Sequence, residues 1–142
     1  HNGICASGRM ADWSCHFMEH ELSGFYDVVH GKGLAVLTPA WMKYIYKDHL
    51  PTFQQFAVKM MGVEDEPKHP EETARHGIER LEELFQRMGL PTSMSELGIP
   101  DRSRYEEMAK QAVGFGTPYQ HDIGNIQKLD WQDIVEILKL AE

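Results

Sequence analysis

The chain has 142 residues, a length that fits one domain with a buried core. Twenty-two acidic residues against 14 basic ones give a net charge of -8. That balance argues against a nucleic-acid backbone or an anionic membrane surface as partner. The longest apolar run, residues 33–45, is interrupted by Pro39 and Lys43 and is too short to span a bilayer.

Cysteine usage and the first residue bear on where the protein works. Cys5 and Cys15 are the only cysteines, too few for a disulfide framework, so we expect a reduced, cytoplasmic location. The chain begins with His1 rather than methionine, and we expect it to be a piece of a longer protein.

The N-terminal half shows helical periodicity. Apolar residues at spacings of three and four predict a first helix from Ala6 to about Tyr26, with a break marked by Gly24 and Asp27. Two more helices are predicted, at 34–46 and 51–61, the second starting with a proline and ending at Gly62.

The C-terminal half continues the helical pattern. The acidic segment 62–69 predicts a surface loop, and 70–88 carries the clearest apolar stripe of the chain. The sequence Ser-Met-Ser-Glu at 93–96 has the form of a capping box that opens one turn. Further helices are predicted at 102–115 and after Asp130, which serves as N-cap. No alternating strand pattern of useful length occurs, so the predicted fold class is all-α.

Three of the eight histidines lie within fifteen residues, at His16, His20 and His30. Imidazole is the commonest metal ligand and can exchange protons near neutral pH. His16 and His20 are about one helical turn apart on one face, whereas His30 would lie about 21 Å from His16 along a straight helix. The chain must therefore reverse between them if His16 and His30 are to share an ion, and the residues after Gly24 make such a turn plausible.

One chemical interpretation uses only the start of this stretch. His16-Phe-Met-Glu19-His20 matches the inverted zinc-protease pattern H-x-x-E-H, with two histidine ligands and Glu19 as general base. Such a site needs a distant acidic third ligand, which the sequence does not identify. This metallopeptidase interpretation also leaves everything after His20 unexplained.

A second interpretation uses the whole stretch. Residues 12–35, DWSCHFMEHELSGFYDVVHGKGLA, resemble the iron-containing (group III) alcohol dehydrogenases, and within them the butanol dehydrogenase and aldehyde reductase branch. The similarity extends through residues 37–44, LTPAWMKY, and the tail 129–138, LDWQDIVEIL, and so covers nearly all of the chain. The resemblance implies the helical, bundle-like C-terminal domain of a dehydroquinate synthase-like fold, with residues 1–142 as a single metal-binding domain.

The resemblance also implies roles for the histidines. His16 and His30 would be metal ligands, and His20 would stand beside the ion as a non-ligand that positions substrate or passes a proton. The ion in the family is iron(II) or, in some members, zinc. An aspartate and another histidine from an earlier helix complete the ligands, and an N-terminal α/β domain binds NAD(P)H. This chain contains neither of those parts, and the sequence identifies no cofactor-binding residue.

The expected parent protein is therefore an NAD(P)-dependent, iron-dependent alcohol dehydrogenase that interconverts primary alcohols such as butanol and the matching aldehydes. Its partner would be a small alcohol or aldehyde, with no nucleic acid and no membrane, and it would form a homodimer or a higher oligomer. The chain alone is expected to be inactive. The alternative from a different class is a catalytically inert helical interaction module that retains its histidines structurally.

Overall fold

The structure is a computed structural model and describes residues 8, 10–99 and 101–142. These residues form six α-helices and one short 3-10 helix; they contain no strand, only one isolated antiparallel bridge between Ile123 and Leu129. The predicted all-α fold class is confirmed. The helices are α1 (Ser14–Tyr26), α2 (His30–Ile45), α3 (Leu50–Lys59), α4 (Pro70–Arg87), α5 (Tyr105–Ala112) and α6 (Trp131–Leu140), with the 3-10 helix at Tyr46–His49 between α2 and α3.

The start of α1 differs from the predicted start at Ala6. Residues 1–7 and 9 lie outside the described residues, and residues 10–13 are not helical. Helix α1 begins at Ser14 because the Asp12 carboxylate accepts a hydrogen bond from the Ser14 backbone N–H at 2.9 Å. The same carboxylate accepts the N–H groups of Asn125 at 2.7 Å and Ile126 at 2.9 Å, so it ties this entry segment to a distant loop.

The chain reverses between α1 and α2 in three residues. Asp27 adopts a left-handed conformation with φ of 54°, and its N–H donates to the Ser23 carbonyl at 3.0 Å. Asparagine and aspartate are the non-glycine residues that tolerate this region best. Val29 is extended, and α2 then starts at His30. The predicted turn is confirmed, but α2 starts four residues before the predicted Leu34.

Helix α2 is central to the fold and packs against α1, α4 and α6. It continues through Pro39, which is buried inside the helix. The core around it draws large apolar side chains from every α-helix. Its fully buried members include Met18, Leu22, Leu37, Ile45, Ile78, Met108, Ile134 and Ile137.

Helices α3 and α4 form the closest helix pair. A Cβ atom placed on Gly77 of α4 would lie 2.7 Å from Cα of Ala57 and closer still to its Cβ. Only a glycine at this position allows the two backbones to approach so closely. Pro70 occupies the first turn of α4 with two glutamates behind it, as predicted from the sequence.

Two C-terminal predictions were only partly right. Residues 94–98 form turns, as predicted, but only half of the capping box is present. The Ser93 hydroxyl accepts the Glu96 N–H at 3.3 Å, whereas the Glu96 carboxylate accepts the Thr92 N–H at 2.7 Å instead of that of Ser93. Helix α5 is shorter than the predicted 102–115. The capping prediction for α6 is confirmed: the Asp130 carboxylate accepts the N–H groups of Gln132 at 2.8 Å and Asp133 at 3.0 Å.

No helix among the described residues is long and apolar enough to cross a lipid bilayer.

Candidate metal centre

The three predicted site histidines meet where α1 turns into α2. His16 and His20 lie one turn apart on α1, and His30 is the first residue of α2. The ring centroid of His30 is 5.2 Å from that of His16 and 5.7 Å from that of His20. The rings of His16 and His30 are therefore neighbours, as sharing an ion would require.

Glu19 lies between these histidines in sequence but points into the protein. Its side chain is fully buried (0% exposed), whereas the His30 side chain is 47% exposed. The Oε2 atom of Glu19 forms a short hydrogen bond with Nδ1 of His30. The Oε1 atom accepts a hydrogen bond from the Ser23 hydroxyl at 2.5 Å. Both carboxylate oxygens therefore have partners, which a buried carboxylate requires.

Helix α2 approaches this carboxylate through a glycine. A Cβ on Gly33 would lie 2.6 Å from Cγ and 2.8 Å from Oε1 of Glu19. Gly33 is itself buried, so the glutamate side chain fills the space that any larger residue at this position would need. The sequence analysis started α2 too late because the two glycines after His30 are typical of a loop, whereas Gly33 is needed here for close packing against Glu19.

His16 occupies a less exposed setting than the other two. Its ring packs edge-on against Trp13 with centroids 4.8 Å apart. Burial lowers the pKa of His16, and the nearby His30 and His20 lower it further, against an opposing effect of Glu19. The neutral imidazole, which is the form that binds metals, is therefore favoured.

The donor set fits a divalent metal. Potential ligand atoms of Glu19, His20 and His30 lie within 4.8 Å of one another, and the ring of His16 is adjacent to that of His30. Imidazole and carboxylate groups suit iron(II) and zinc. The cluster of ligand atoms therefore includes His20 and not His16, although the sequence assigned His20 only a supporting role.

Sequence reasoning missed the function of Glu19. It treated Glu19 only as the general base of the metallopeptidase alternative, a role that needs access to a water molecule. The structure instead buries Glu19 completely and engages both oxygens, which argues against that alternative. The available signals were Ser23, four residues after Glu19 on the same helical face, and Gly33, three residues after His30.

The domain is helical and places histidines from two successive helices next to each other. Sequence comparison gives its family. The family described as "Fe-containing alcohol dehydrogenase family, C-terminal" matches residues 3–141. The chain belongs to this family. The recognition made from residues 12–35 is confirmed.

Relatives of the chain include proteins named as butanol dehydrogenases. The chain is 42% identical over 141 residues to NADH-dependent butanol dehydrogenase A of Clostridium acetobutylicum, covering 97% of this chain and 34% of that protein. It is 33% identical over 140 residues to the probable NADH-dependent butanol dehydrogenase 1 of Bacillus subtilis, covering 99% of this chain and 35% of the relative.

Comparison with a solved structure shows that the fold is also that of this family. The crystal structure of NADH-dependent butanol dehydrogenase A from Thermotoga maritima superposes with a TM-score of 0.87 at 37% identity, covering 99% of this chain and 35% of that one. The expected C-terminal domain fold of the iron-containing alcohol dehydrogenases is confirmed. The chain spans about one third of the length of these relatives.

Proposed function

We propose that this chain is the metal-binding C-terminal part of an NAD(P)-dependent alcohol dehydrogenase that interconverts primary alcohols, such as butanol, and aldehydes. The observation that carries the proposal is the meeting of three imidazole rings from α1 and α2 at one point. Family membership supports it, because the family is described as Fe-containing and relatives are named as NADH-dependent butanol dehydrogenases.

In this proposal, residues 1–142 act as one helical metal-binding domain. His16 and His30 hold an iron(II) or zinc ion, and the remaining ligands come from a preceding part of the protein. The donors fit such an ion, since the neutral form of His16 is favoured and His30 presents an exposed ring. When bound, the ion would act as a Lewis acid that polarises the carbonyl of an aldehyde.

His20 has the properties of a residue that works beside the ion. It is exposed on α1, one turn from His16, and its ring lies 5.7 Å from that of His30. An imidazole can accept or donate a proton near neutral pH. We infer that His20 exchanges the hydroxyl proton of the alcohol with solvent, whereas His16 and His30 hold the metal.

The nicotinamide cofactor would be bound mainly outside this chain. Neither glycine pair follows a strand, as a phosphate-binding loop would: Gly31 and Gly33 lie within α2, and Gly114 and Gly116 follow α5. The α/β part that binds NAD(P)H is therefore proposed to precede residue 1 in the parent protein. Dimers or higher oligomers of that parent are part of the same proposal.

The experiment that tests this function exchanges the matching segment in a relative. The chain would replace the corresponding third of butanol dehydrogenase A of Clostridium acetobutylicum, to which it is 42% identical. We expect the hybrid to bind iron(II) or zinc and to oxidise NADH with butyraldehyde as substrate. Metal content would be measured by elemental analysis and turnover by the loss of NADH absorbance.

Single histidine variants of the hybrid separate the proposed roles. H16A and H30A should lose the metal and, with it, all turnover. H20A should keep the metal but lower kcat by about 100-fold, the usual size of a general acid–base contribution. H76A, on α4, is the matched control and should change neither quantity. A hybrid that folds, binds metal and lacks aldehyde reduction would contradict the proposed activity.

A further inference from the structure

We propose that Glu19 is a positioning residue for the metal site: it holds His30 in the tautomer that carries its proton on Nδ1 and leaves Nε2 for the cation. This inference rests on the proposed function, because it assigns a role toward the same metal. It concerns a residue that touches no substrate and acts only through His30.

The contact between the two side chains defines the tautomer. Oε2 of Glu19 faces Nδ1 of His30 in a short hydrogen bond. A carboxylate accepts hydrogen bonds and does not donate them, so the proton belongs to Nδ1 of the imidazole. Nε2 is then the only ring nitrogen with a lone pair available for a metal. Metal-binding histidines commonly use their second nitrogen in this way, and the partner carboxylate orients the ring.

The carboxylate is itself held from two sides. The Ser23 hydroxyl lies 2.5 Å from Oε1 of Glu19 and 2.8 Å from the carbonyl oxygen of Val28. The hydroxyl has one proton and can donate fully to only one of these two oxygens at a time. Because it lies between them, it links the carboxylate to the turn that leads into His30. Gly33 of α2 also lies against this side chain, and only the absence of a Cβ at Gly33 leaves room for it. Ser23 and Gly33 together leave the Glu19 side chain little space to move.

A direct metal–Glu19 bond is the competing arrangement, since Glu19, His20 and His30 together offer ligand atoms within 4.8 Å of one another. Binding a cation through Oε2 would break the bond to His30. Binding through Oε1 would compete with the Ser23 hydroxyl at full burial. The positioning role keeps both hydrogen bonds, and for this reason we favour it.

The tautomer is tested directly on this chain without metal. Nitrogen-15 NMR of the imidazoles, at a pH about two units above the ordinary imidazole pKa, distinguishes the two neutral tautomers. Wild type should show His30 with its proton on Nδ1. E19L removes the acceptor at similar volume and should move His30 toward the Nε2–H tautomer, whereas E19Q keeps an acceptor oxygen and should preserve the wild-type signal.

Metal affinity supplies the second readout. Zinc and cobalt(II) affinities would be measured by competition with a chromophoric chelator. E19L should weaken binding by about 10–100-fold, the usual effect of losing such a partner, and E19Q by less than about fivefold. E21L is the matched control: it removes the same charge two residues away, where no bond to His30 exists, and should leave the affinity within about twofold.

The outcomes separate this inference from the proposed function. An unchanged His30 tautomer in E19L would overturn the positioning role. Equal losses of affinity in E19Q and E19L, with the tautomer retained in E19Q, would show Glu19 to be a direct ligand and overturn it as well. The expected tautomer in the wild-type chain, together with a folded hybrid enzyme that holds no metal, would instead contradict the metal site itself.

Folding of each variant would be checked by circular dichroism. If E19L does not fold, S23A carries the test, because it removes only the support of Oε1 and leaves the carboxylate in place. S23A should weaken metal binding by about threefold to tenfold and broaden the His30 resonance. Wild-type affinity in a folded S23A, together with an unchanged tautomer, would overturn the proposed fixing of the carboxylate.

Discussion

At the scale of single residues, the two glycines in the first turn of α2 have opposite requirements. A Cβ on Gly33 would overlap the Glu19 side chain, whereas one on Gly31 would meet no atom within 4 Å. G31A should therefore raise the free energy of unfolding by up to about 1 kcal/mol, the gain in helix propensity. G33A should lower it by about 1–3 kcal/mol through overpacking. Urea denaturation followed by circular dichroism measures both.

The variants G31A and G33A also test the metal site. Because G33A displaces Glu19, it should also weaken zinc binding, while G31A should leave binding unchanged. Similar free energies of unfolding for G31A and G33A would show that the Glu19 side chain can move away from a Cβ at residue 33 without destabilising the protein. The close approach of α2 to Glu19 would then not require a glycine.

Asp12 gives a prediction for pH dependence. Burial alone would raise the pKa of Asp12, but hydrogen bonds from Ser14, Ile126 and Asn125 outweigh it, and the pKa is lowered from 3.8. A carboxyl whose pKa is depressed on folding stabilises the protein above its unfolded pKa. That stability is lost as pH falls through the lower folded value. Acidification below about pH 4 should therefore release the entry segment from its loop.

The variant D12N isolates this contribution. At pH 7 it should be about 1–2 kcal/mol less stable than wild type, since an amide cannot accept all of the backbone N–H groups. The difference should shrink as pH is lowered from about 5 toward 3, because the wild-type carboxylate becomes protonated. Chemical denaturation at several pH values measures it. A constant difference between the two proteins would mean that Asp12 does not titrate with folding.

At the scale of helices, the close contact of α3 with α4 depends on a glycine, Gly77, which has no side chain between the two backbones. G77A should push α4 away from Ala57 and lower the free energy of unfolding by about 1–3 kcal/mol. G24A is the matched control, because Gly24 lies on the exposed side of α1 with no atom within 4 Å of its added Cβ. It should stabilise the chain slightly. If G77A unfolds thermally at the wild-type temperature, α3 and α4 can move apart without loss of stability, and the prediction is wrong.

The sequence predicted the helices whose limits are set locally. The start of α4 at Pro70 and the cap of α6 at Asp130 follow from single residues and their immediate neighbours. The start of α2 at His30 did not, because two glycines nearby are typical of a loop. The start of α2 depends on tertiary packing, because Gly33 is needed where α2 contacts Glu19. The helix tolerates its glycines because much of the rest of α2 is buried.

In the candidate site, too, some features could be predicted from the sequence and others depend on tertiary packing. The meeting of His16 and His30 could be predicted, since a reversal after Gly24 was the only way for them to share an ion. The orientation of Glu19 could not be predicted with the same certainty, because Glu19 and Glu21 both flank His20 on α1 and the sequence does not say which of them is buried. Its burial depends on Ser23 and on the approach of a second helix, which are properties of the folded chain.

At the scale of the whole molecule, the site lies between α1 and the start of α2 in a helical domain that spans about one third of its relatives' length. Two predicted metal ligands, His16 and His30, come from this chain. A metal held by two imidazoles binds weakly, since structural and catalytic sites normally supply three or four protein ligands. The proposed cofactor-binding part is also separate from these residues.

We therefore expect the chain alone to bind iron(II) or zinc reversibly and to show no turnover with NADH or NADPH and butyraldehyde. The assay would be run anaerobically with added iron(II), next to the Clostridium relative as positive control. Mixing the chain with the separately produced N-terminal two thirds of that relative should restore activity if the two parts assemble. NADH oxidation by the chain alone would show that it carries the whole reaction and would overturn the division of the site between two parts of the protein.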